Sequence, residues 1–397
     1  MNRNLQRLFT IAQKPVRRII GLMSGTSLDG LDVALCAIRR NGMDTRVTLE
    51  HFDTVPYPVA VKEEIRKVFA KDTISFQQLC LLNPWLANLH AQWILDCLQK
   101  WNVAAEEVDI IASHGQTVYH SPKILHRLPD FPNATLQIVD GDHIAVKTGI
   151  ITLSDFRQKH IAAGGEGAPL ALYGDYCLFS KRGEDRIMLN MGGIANFTFL
   201  PGDLDAAGVF VTDTGPGNTL LDAFARECFQ AEYDKDALFA KQGTVDESLL
   251  TALKNDPFFK ASFPRTTGPE LFSKAYVKTA QERSNTTNLS PYDIMATLTR
   301  FSADTIADAL KSVLQKDKDY AVYVSGGGAH NPLLTGLIRE RLPRLQLHTT
   351  DELGIAGDAK EAVLFAILAN EALCGEGIDF GKPGMPAITM GKLSFPA

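Results

Sequence analysis

The stretch GLMSGTSLDGLDVAL, residues 21–35, combines turn residues with side chains that could bind phosphate and a metal ion. It joins two apolar runs, Ile19–Met23 and Val33–Ile38, which predict the strands of a β-hairpin. An ordinary hairpin needs two to five turn residues with one glycine. Backbone N–H groups of a glycine-rich turn can converge on a phosphate, hydroxyls can add donors, and carboxylates can hold magnesium directly or through water. A hairpin that is merely decorated with polar residues is the alternative.

Two later loops also place glycines at the ends of predicted strands. The segment TDTGPGN, residues 212–218, puts Asp213 at a strand end, where its carboxylate is a candidate general base or a turn aspartate. The segment SGGGAH, residues 325–330, follows the apolar run 320–324, and its glycines would let a ligand approach the backbone closely. Nucleotide binding and a tight structural turn both fit SGGGAH, whose spacing matches neither the Rossmann nor the P-loop pattern.

Three further groups have side chains suited to binding or catalysis. His114, in SHGQT, fits a base, a hydrogen-bond donor or a packing residue. Asp155 and Arg157, in SDFRQKH, suit a sugar, a carboxylate or a phosphate, although surface pairing would also explain them. Glu361 stands near the start of the last predicted helix, where the helix dipole stabilises it; it could also bind a metal ion or a sugar.

Composition narrows the classes of protein that fit. At 397 residues the chain is expected to form two domains, and its net charge of −6 argues against a nucleic-acid-binding protein. Its six cysteines form no CxxC pair or Cys/His cluster, which makes a zinc site unexpected and suits a reduced compartment. No apolar run approaches the length of a membrane span, and the N-terminal stretch LFTIA is too short for a secretory signal.

Strand and helix patterns alternate along the chain, which predicts an α/β fold. Helical spacing occurs over residues 59–70, 76–100, 219–229, 292–315 and 358–373, and from Pro332. Strands are predicted at 109–112 and 320–324, while 135–139 and 143–147 fit either strand or helix. The apolar–glycine–apolar hairpin recurs at 186–201, so two similar lobes around one ligand-binding cleft are expected. Together the glycine loops favour a phosphate-handling enzyme, and no G-x-S-x-G, H-R-D or D-F-G motif points elsewhere.

Nine motifs, taken in order, resemble those of the anhydro-N-acetylmuramic acid kinases, and the related levoglucosan kinases share much of the pattern. The motifs are GLMSGTSLDGLDVAL, ASHGQTVYH, SDFR with AAGGEGAPL, LNMGGIANF, DTGPGNTLLDA, YDKDALFAKQG, TTGPELF, VSGGGAHNPLL and TTDELGIAGDAKEA. The resemblance runs from about Ile19 to the C-terminus.

The resemblance implies a two-lobed fold of the actin, hexokinase and Hsp70 type with a central cleft between the domains. Residues 1–16 would be an extension, 17–153 the N-terminal lobe and 154–397 the C-terminal lobe, with the C-terminal segment packing back on the first lobe. It also implies a cytoplasmic kinase of cell-wall amino sugar recycling that uses ATP and Mg²⁺ and forms a homodimer. The reaction would convert 1,6-anhydro-N-acetylmuramic acid, ATP and water into N-acetylmuramic acid 6-phosphate and ADP.

The same resemblance assigns roles to individual residues. Asp213 would be the base that activates water. The nucleotide would bind at Gly25, Thr26, Ser27, Leu28, Asp29, Gly30, Leu31, Asp32, Gly192, Gly193, Gly326, Gly327 and Gly328. The sugar would bind at Asp155, Arg157, Asn196 and Gly215, and the metal ion at Glu361 and Asp29.

Three positions depart from the family pattern and leave the identity of the sugar open. Glu166 stands where the family commonly has Gln, Pro269 where it commonly has Arg, and Ala171–Leu172 where many members have a Val–Pro pair. A levoglucosan-type kinase acting on a neutral anhydro sugar is therefore the nearest alternative. A non-catalytic sugar or nucleotide sensor, and a glycoside hydrolase using Asp155 and Asp213 as its carboxylate pair, are the others.

Overall fold

The fold is taken from a computed structural model, which describes residues 2–168, 170–268, 270–315 and 318–397. The helices are α1 Arg3–Ala12, α2 Val59–Arg66, α3 Phe76–Trp101, α4 Lys123–His126, α5 Gly141–Thr148, α6 Phe156–Ala162, α7 Ala171–Phe179, α8 Thr219–Phe229, α9 Glu247–Lys254, α10 Lys274–Ser284, α11 Pro291–Val313, α12 Pro332–Arg341 and α13 Lys360–Cys374. The strands are β1 Arg17–Ser24, β2 Gly30–Arg39, β3 Arg46–Pro56, β4 Ile110–Ser121, β5 Ala134–Ile138, β6 Ile151–Ser154, β7 Asp185–Met191, β8 Ile194–Leu200, β9 Phe210–Pro216, β10 Tyr320–Ser325, β11 Leu347–Thr349 and β12 Lys392–Ser394.

The predicted α/β alternation is confirmed, and the two undecided segments resolve into different elements. Residues 134–138 form β5, whereas 141–148 form α5. The helix begins at this point because the side chain of Asp140 accepts a hydrogen bond from the backbone N–H of Asp142, which caps the first turn.

The chain folds as two compact units. Unit 1 comprises residues 1–179 and 354–397, and unit 2 comprises residues 180–353. The boundary predicted from the sequence lies earlier, between residues 153 and 154. Helix α7 belongs to unit 1 because it packs on α13: Lys360 pairs with the buried Asp175 at 2.8 Å, and a Cβ on Gly174 would meet the side chain of Leu364.

The N-terminal segment, predicted as an extension, is an ordered helix of unit 1. Asn2 caps α1, the Asn4 side chain donates to the carbonyl of Pro396 at 2.9 Å, and Arg7 donates to the carbonyl of Gly149 at 2.9 Å.

The sheet of unit 1 has, in the part of the chain that the structure describes, seven strands in the order β12-β6-β4-β1-β2-β3, with β5 paired to β4. Strands β1, β2 and β3 are antiparallel neighbours, while β4 lies parallel to β1 and β6 parallel to β4. Strand β1 is buried along most of its length, as expected for a strand covered on both sides. Ile20, Leu22 and Ile111 lie in the same hydrophobic core as Ile94 of helix α3.

The sheet of unit 2 repeats this order on a smaller scale. Within the described residues its five strands run β11-β10-β7-β8-β9. Strands β7, β8 and β9 form an antiparallel meander, and β10 and β11 continue the sheet in parallel. The repeat of β3-β2-β1-β4-β6 as β9-β8-β7-β10-β11 is the two-lobed topology of the actin, hexokinase and Hsp70 class.

The parallel strands require crossover connections, and helices supply them. The connection from β3 to β4 contains α3, and the connection from β9 to β10 contains α11. Among the described helices, none combines the length and the apolar character that crossing a bilayer requires.

Unit 1 is predicted to be intolerant of any side chain at position 21. A Cβ on Gly21 would lie 1.8 Å from the carbonyl oxygen of Ala362, so β1 and α13 would have to separate. We expect Gly21→Ala to lower the free energy of unfolding by roughly 3 kcal/mol in denaturant titrations. Gly336→Ala is the matched control, because Gly336 lies in α12 with open space around it. The free energy of unfolding of this variant should rise by about 1 kcal/mol. Equal stability of Gly21→Ala and wild type would refute the close contact.

Candidate functional site

The predicted phosphate loop of unit 1 spans residues 25–29 between β1 and β2. Thr26, Ser27 and Asp29 are exposed, and the Ser27 hydroxyl donates to Asp29 at 2.6 Å. Leu28 has a positive φ of 59° and turns its side chain into the hydrophobic core, where Leu31 also lies. These two leucines could contact a nucleotide through their backbone only, while the hydroxyls remain accessible.

Carboxylates gather beside this loop. Burial raises the pKa of Asp32, and the charges of Asp29 and Asp358 raise it further against a hydrogen bond from Thr54. Glu361, in the first turn of α13, is accessible to solvent yet crowded by protein atoms, and this crowding raises its pKa, with a contribution from the charge of Asp32. Carboxylates that raise one another's pKa values attract a cation.

These carboxylates do not make a complete metal centre by themselves. In the described part of the chain, no three His, Cys, Asp or Glu side chains are grouped so that they could hold a metal ion. A magnesium ion bound beside the loop would have to take further ligands from phosphate oxygens and water, as Mg²⁺ does in many nucleotide sites.

Arg157 is held by a neutral histidine. Its Nε donates to Nε2 of His114 at 2.9 Å, and its Nη1 donates to the carbonyl of Gly167 at 2.6 Å. Burial lowers the pKa of His114 to about 3, so the ring is neutral and accepts the bond; it also packs on Phe365 at 4.7 Å. Burial lowers the pKa of Arg157 to about 10, and the charge of Glu361 opposes that shift. His114 thus orients Arg157.

Asp155 and Arg157, predicted together as sugar ligands, have different partners. Asp155 forms an ion pair with Lys392 of β12 and begins α6 with a positive φ of 55°. Glu166, the departure from the family pattern, is exposed. Pro269, the other departure, lies outside the described residues.

In unit 2, Asp213 lies in a row of polar side chains across three strands. Asn190 of β7 pairs in register with Asn196 of β8, and Asn196 pairs with Asp213 of β9. Residues directly opposite one another on antiparallel strands project from the same face of a sheet, so these three side chains are neighbours. Gly215, predicted beside them as a sugar ligand, is buried, and its missing side chain would meet Phe259 and Thr305.

The environment of Asp213 suits a general base. Burial raises the pKa of Asp213 to about 6, against a hydrogen bond from the backbone N–H of Thr267 at 2.7 Å and the positive charge of Arg265. A carboxylate with a pKa near the operating pH can accept a proton from water and release it again.

Arg265 packs beside Asp213 and holds its backbone. Its Nε donates to the carbonyl of Asp213 at 3.1 Å and its Nη2 to that of Thr214 at 3.3 Å, while its guanidinium lies over the ring of Phe258 at 4.6 Å. Sequence reasoning missed Arg265 and Thr267, although the motif TTGPELF begins one residue after Arg265.

The glycine turns of unit 2 lie together. The N–H groups of Gly217 and Asn218 donate to the carbonyls of Gly193 and Gly192, each at 2.8 Å. Gly326, with a φ of 79°, leaves no room for a Cβ beside Asn190, and Gly328 leaves none beside Met191. The turns predicted separately at 192–193, 215–217 and 326–328 therefore lie together as one glycine cradle, in which Gly193 and Gly327 are exposed.

A cavity of about 600 Å³ opens beside this cradle. Gly327 and Asn218 line it, together with Asp222, Arg226, Tyr233, His330 and Asn331. This volume is in the range of sites for nucleotide-sized ligands. The sequence predicted Gly327 here, whereas the other lining residues were missed, although YDKDALF carries Tyr233.

A repeated fold of this topology with glycine turns at its strand ends is that of the ATP-dependent phosphotransferases of the hexokinase type. A family model described as anhydro-N-acetylmuramic acid kinase matches residues 17–377. The chain belongs to the anhydro-N-acetylmuramic acid kinase family, so the predicted resemblance and the kinase class are confirmed.

Curated relatives with this name are similar along their whole length. The anhydro-N-acetylmuramic acid kinase of Pseudoalteromonas atlantica is 54% identical over 400 residues, covering 100% of both chains. That of Caldanaerobacter subterraneus is 37% identical over 395 residues, covering 98% of this chain and 100% of its own. Among solved structures, a Schistosoma mansoni hexokinase complexed with glucose aligns at 12% identity and a TM-score of 0.36, over 90% of this chain and 86% of its own. The strand order of the two sheets defines the fold.

The ionised carboxylate of Asp213 is predicted to destabilise the fold. Its pKa of about 6 lies above the ordinary value of 3.8, so the folded chain binds this proton more tightly than the unfolded chain. This contribution to stability is present below about pH 4, is lost as the pH rises to about 6, and stays lost above that pH. We expect Asp213→Asn to melt at a higher temperature than wild type at pH 7.5, with the difference vanishing as the pH falls to about 4. Asp130→Asn, at an exposed position, is the control. A gain that does not change with pH would contradict the raised pKa.

Proposed function

We propose that the protein converts 1,6-anhydro-N-acetylmuramic acid, ATP and water into N-acetylmuramic acid 6-phosphate and ADP. The observation that carries the proposal is Asp213, a half-buried carboxylate whose pKa is about 6, in a chain of this kinase family. Of the alternatives, a neutral-sugar kinase would use the same chemistry, and neither a sensor nor a hydrolase requires both this base and a nucleotide cradle.

The reaction needs a base because water is a weak nucleophile. Water attacks C1 of the anhydro sugar and gives one proton to Asp213, which forms a hydroxyl at C1. The bond from C1 to O6 breaks, O6 bonds to the γ-phosphorus of ATP, and the bond from that phosphorus to the β-phosphate oxygen breaks to release ADP. Phosphoryl transfer itself depends on positioning and charge neutralisation, which the loops supply.

The proposed nucleotide ligands fall into two groups by the part of the nucleotide that each would bind. In unit 1, the backbone and hydroxyls of Gly25, Thr26 and Ser27, with Gly30, would hold the β- and γ-phosphates. In unit 2, Gly326–Gly328 and the adjoining cavity would take the adenosine, with Gly192 and Gly193 in the same cradle. Asp29 and Glu361 would hold Mg²⁺, with Asp32 adding negative potential. Bound there, the ion would neutralise phosphate charge.

Arg157 is the proposed ligand for the lactyl carboxylate that distinguishes the muramic sugar. Its guanidinium has a fixed orientation because His114 and the carbonyl of Gly167 accept from two of its nitrogens. Asp155, Asn196 and Gly215 are proposed as further sugar ligands.

We place the enzyme in the cytoplasm, in the recycling of cell-wall amino sugars. The six cysteines, all within the described residues, carry free thiols, as a reducing compartment favours. A homodimer, which the family resemblance implies, would be tested by sedimentation of the full chain.

The proposed substrate is tested by ADP release with purified protein, ATP and Mg²⁺. We expect ADP with 1,6-anhydro-N-acetylmuramic acid and none with levoglucosan, N-acetylmuramic acid or buffer. ADP with levoglucosan alone would move the activity to the neutral-sugar kinases, and no ADP with any sugar would contradict the proposal.

The role of Asp213 as base predicts a defined pH profile. Protonation removes the base, so kcat/KM should fall about tenfold per pH unit below roughly pH 6, with no matching loss above it. Asp213→Asn should lose turnover and keep its affinity for ATP, which calorimetry measures. Wild-type turnover in that variant would show that another group activates the water.

A further inference from the structure

A chain of buried polar side chains lies directly beneath the phosphate loop of unit 1. It consists of His90, Tyr57, Ser24 and Gln116, none more than 3% exposed. The Tyr57 hydroxyl lies 2.8 Å from Nε2 of His90 and 2.7 Å from Oγ of Ser24, and Ser24 in turn contacts Oε1 of Gln116.

The hydrogen bonds of this chain can run in one direction only. Nε2 of Gln116 faces the carbonyls of Gly25 and Thr117 at 3.2 and 3.3 Å, so it donates, and Oε1 of Gln116 must accept. Ser24 therefore donates to Gln116, Tyr57 donates to Ser24, and Nε2–H of His90 donates to Tyr57. Burial lowers the pKa of His90 to about 3, which keeps the ring neutral, in the tautomer that carries its proton on Nε2.

The hydrogen-bonded residues His90, Tyr57, Ser24 and Gln116 contact the phosphate loop at both of its ends. At its start, the Ser24 side chain is fixed by Tyr57 and Gln116, and the Gly25 carbonyl accepts from Gln116. At its end, the backbone N–H of Tyr57 donates to the carbonyl of Asp29 at 2.9 Å. One tyrosine thus ties the entry of the loop to its exit.

A β-bulge aims Gln116 at the loop. Ser113 pairs with Leu22 and Gln116 with Ser24, so two residues of β4 stand opposite one residue of β1. Gly115, inside the bulge, has a φ of 78°, and a Cβ on it would lie 2.3 Å from the carbonyl of Ile138. The ring of Trp93 packs against the rings of Tyr57 and His90, with centroid distances of 5.5 and 5.6 Å, and restricts the orientation of both.

We propose that Tyr57 and Gln116 are positioning residues for phosphoryl transfer, which hold the backbone and hydroxyls of residues 25–29 in the geometry that receives the γ-phosphate. This inference rests on the proposed function, because it takes the loop to be the triphosphate site. Neither residue touches the nucleotide; each acts through the loop. Cooperative hydrogen bonds that run in one direction among buried side chains would make the loop rigid before the nucleotide binds.

The test compares Tyr57→Phe, Gln116→Met and the double variant with wild type. Each single variant should lower kcat about tenfold and weaken binding of a non-hydrolysable ATP analogue with Mg²⁺ by a similar factor. Affinity for adenosine, measured by the same calorimetry, should not change, because adenosine lacks the phosphates. The double variant should lose little more than the worse single variant, since both changes break one chain.

Tyr276→Phe is the matched control. It also removes a hydroxyl that donates inside the protein, to the carbonyl of Leu253, but it lies on α10 of unit 2. Wild-type turnover and analogue affinity in both single variants would overturn the proposal. A loss of adenosine affinity equal to the loss for the analogue would also overturn it, since that marks a general structural effect.

The test also distinguishes a folding failure of one variant, and a failure of the proposed reaction, from a failure of the positioning role. Tyr57→Phe retains the aromatic packing, so it suffices if Gln116→Met does not fold. A wild-type chain that binds the ATP analogue without phosphorylating the anhydro sugar would refute the proposed reaction, whereas the ratio of analogue to adenosine affinity would still decide the positioning role.

Discussion

The contact between strand β1 and helix α13 sets the geometry of unit 1. At Gly21 the helix carbonyl of Ala362 comes so near that only glycine fits. The next residue along the helix toward its start is Glu361, so this contact carries a carboxylate to the acidic group beside the phosphate loop. The same helix brings Phe365 onto His114, which holds Arg157. A residue with no side chain thereby places an acidic and a basic group that lie far from it in sequence.

Unit 1 holds its polar groups in two different environments near the phosphate loop. Beneath the loop, the uncharged side chains of His90, Tyr57 and Gln116 are linked by hydrogen bonds through Ser24, which offsets much of the free-energy cost of burying them. Around the loop, Asp32 and Glu361 carry raised pKa values because they are crowded and near like charges. The neutral side chains beneath the loop make it rigid, and the carboxylates around the loop attract a cation.

Much of the fold could be predicted from local pattern, whereas several site residues could not. The apolar runs around residues 21–30 and 186–201 predict hairpins because the burial of each strand follows from the apolar residues of that strand alone. The glycine turns were found for the same reason. Thr267 and Arg265 were missed because their contacts with Asp213 span more than 50 residues, so the local motif TTGPELF gives no sign of that partner. Tyr57 and His90 were missed likewise, since an isolated tyrosine between a strand and a helix gives no sign of its partners.

The division of the chain has a consequence for how it is made. Unit 2 is continuous from 180 to 353, while unit 1 needs residues 354–397 to supply α13 and the edge strand β12. During synthesis, unit 2 has all its own residues before unit 1 does. The sheet of unit 1 then waits with β1 uncovered on the α13 side until the last part of the chain emerges, which makes this strand the segment most exposed to aggregation. Premature termination after residue 353 would leave the first unit permanently without its covering helix.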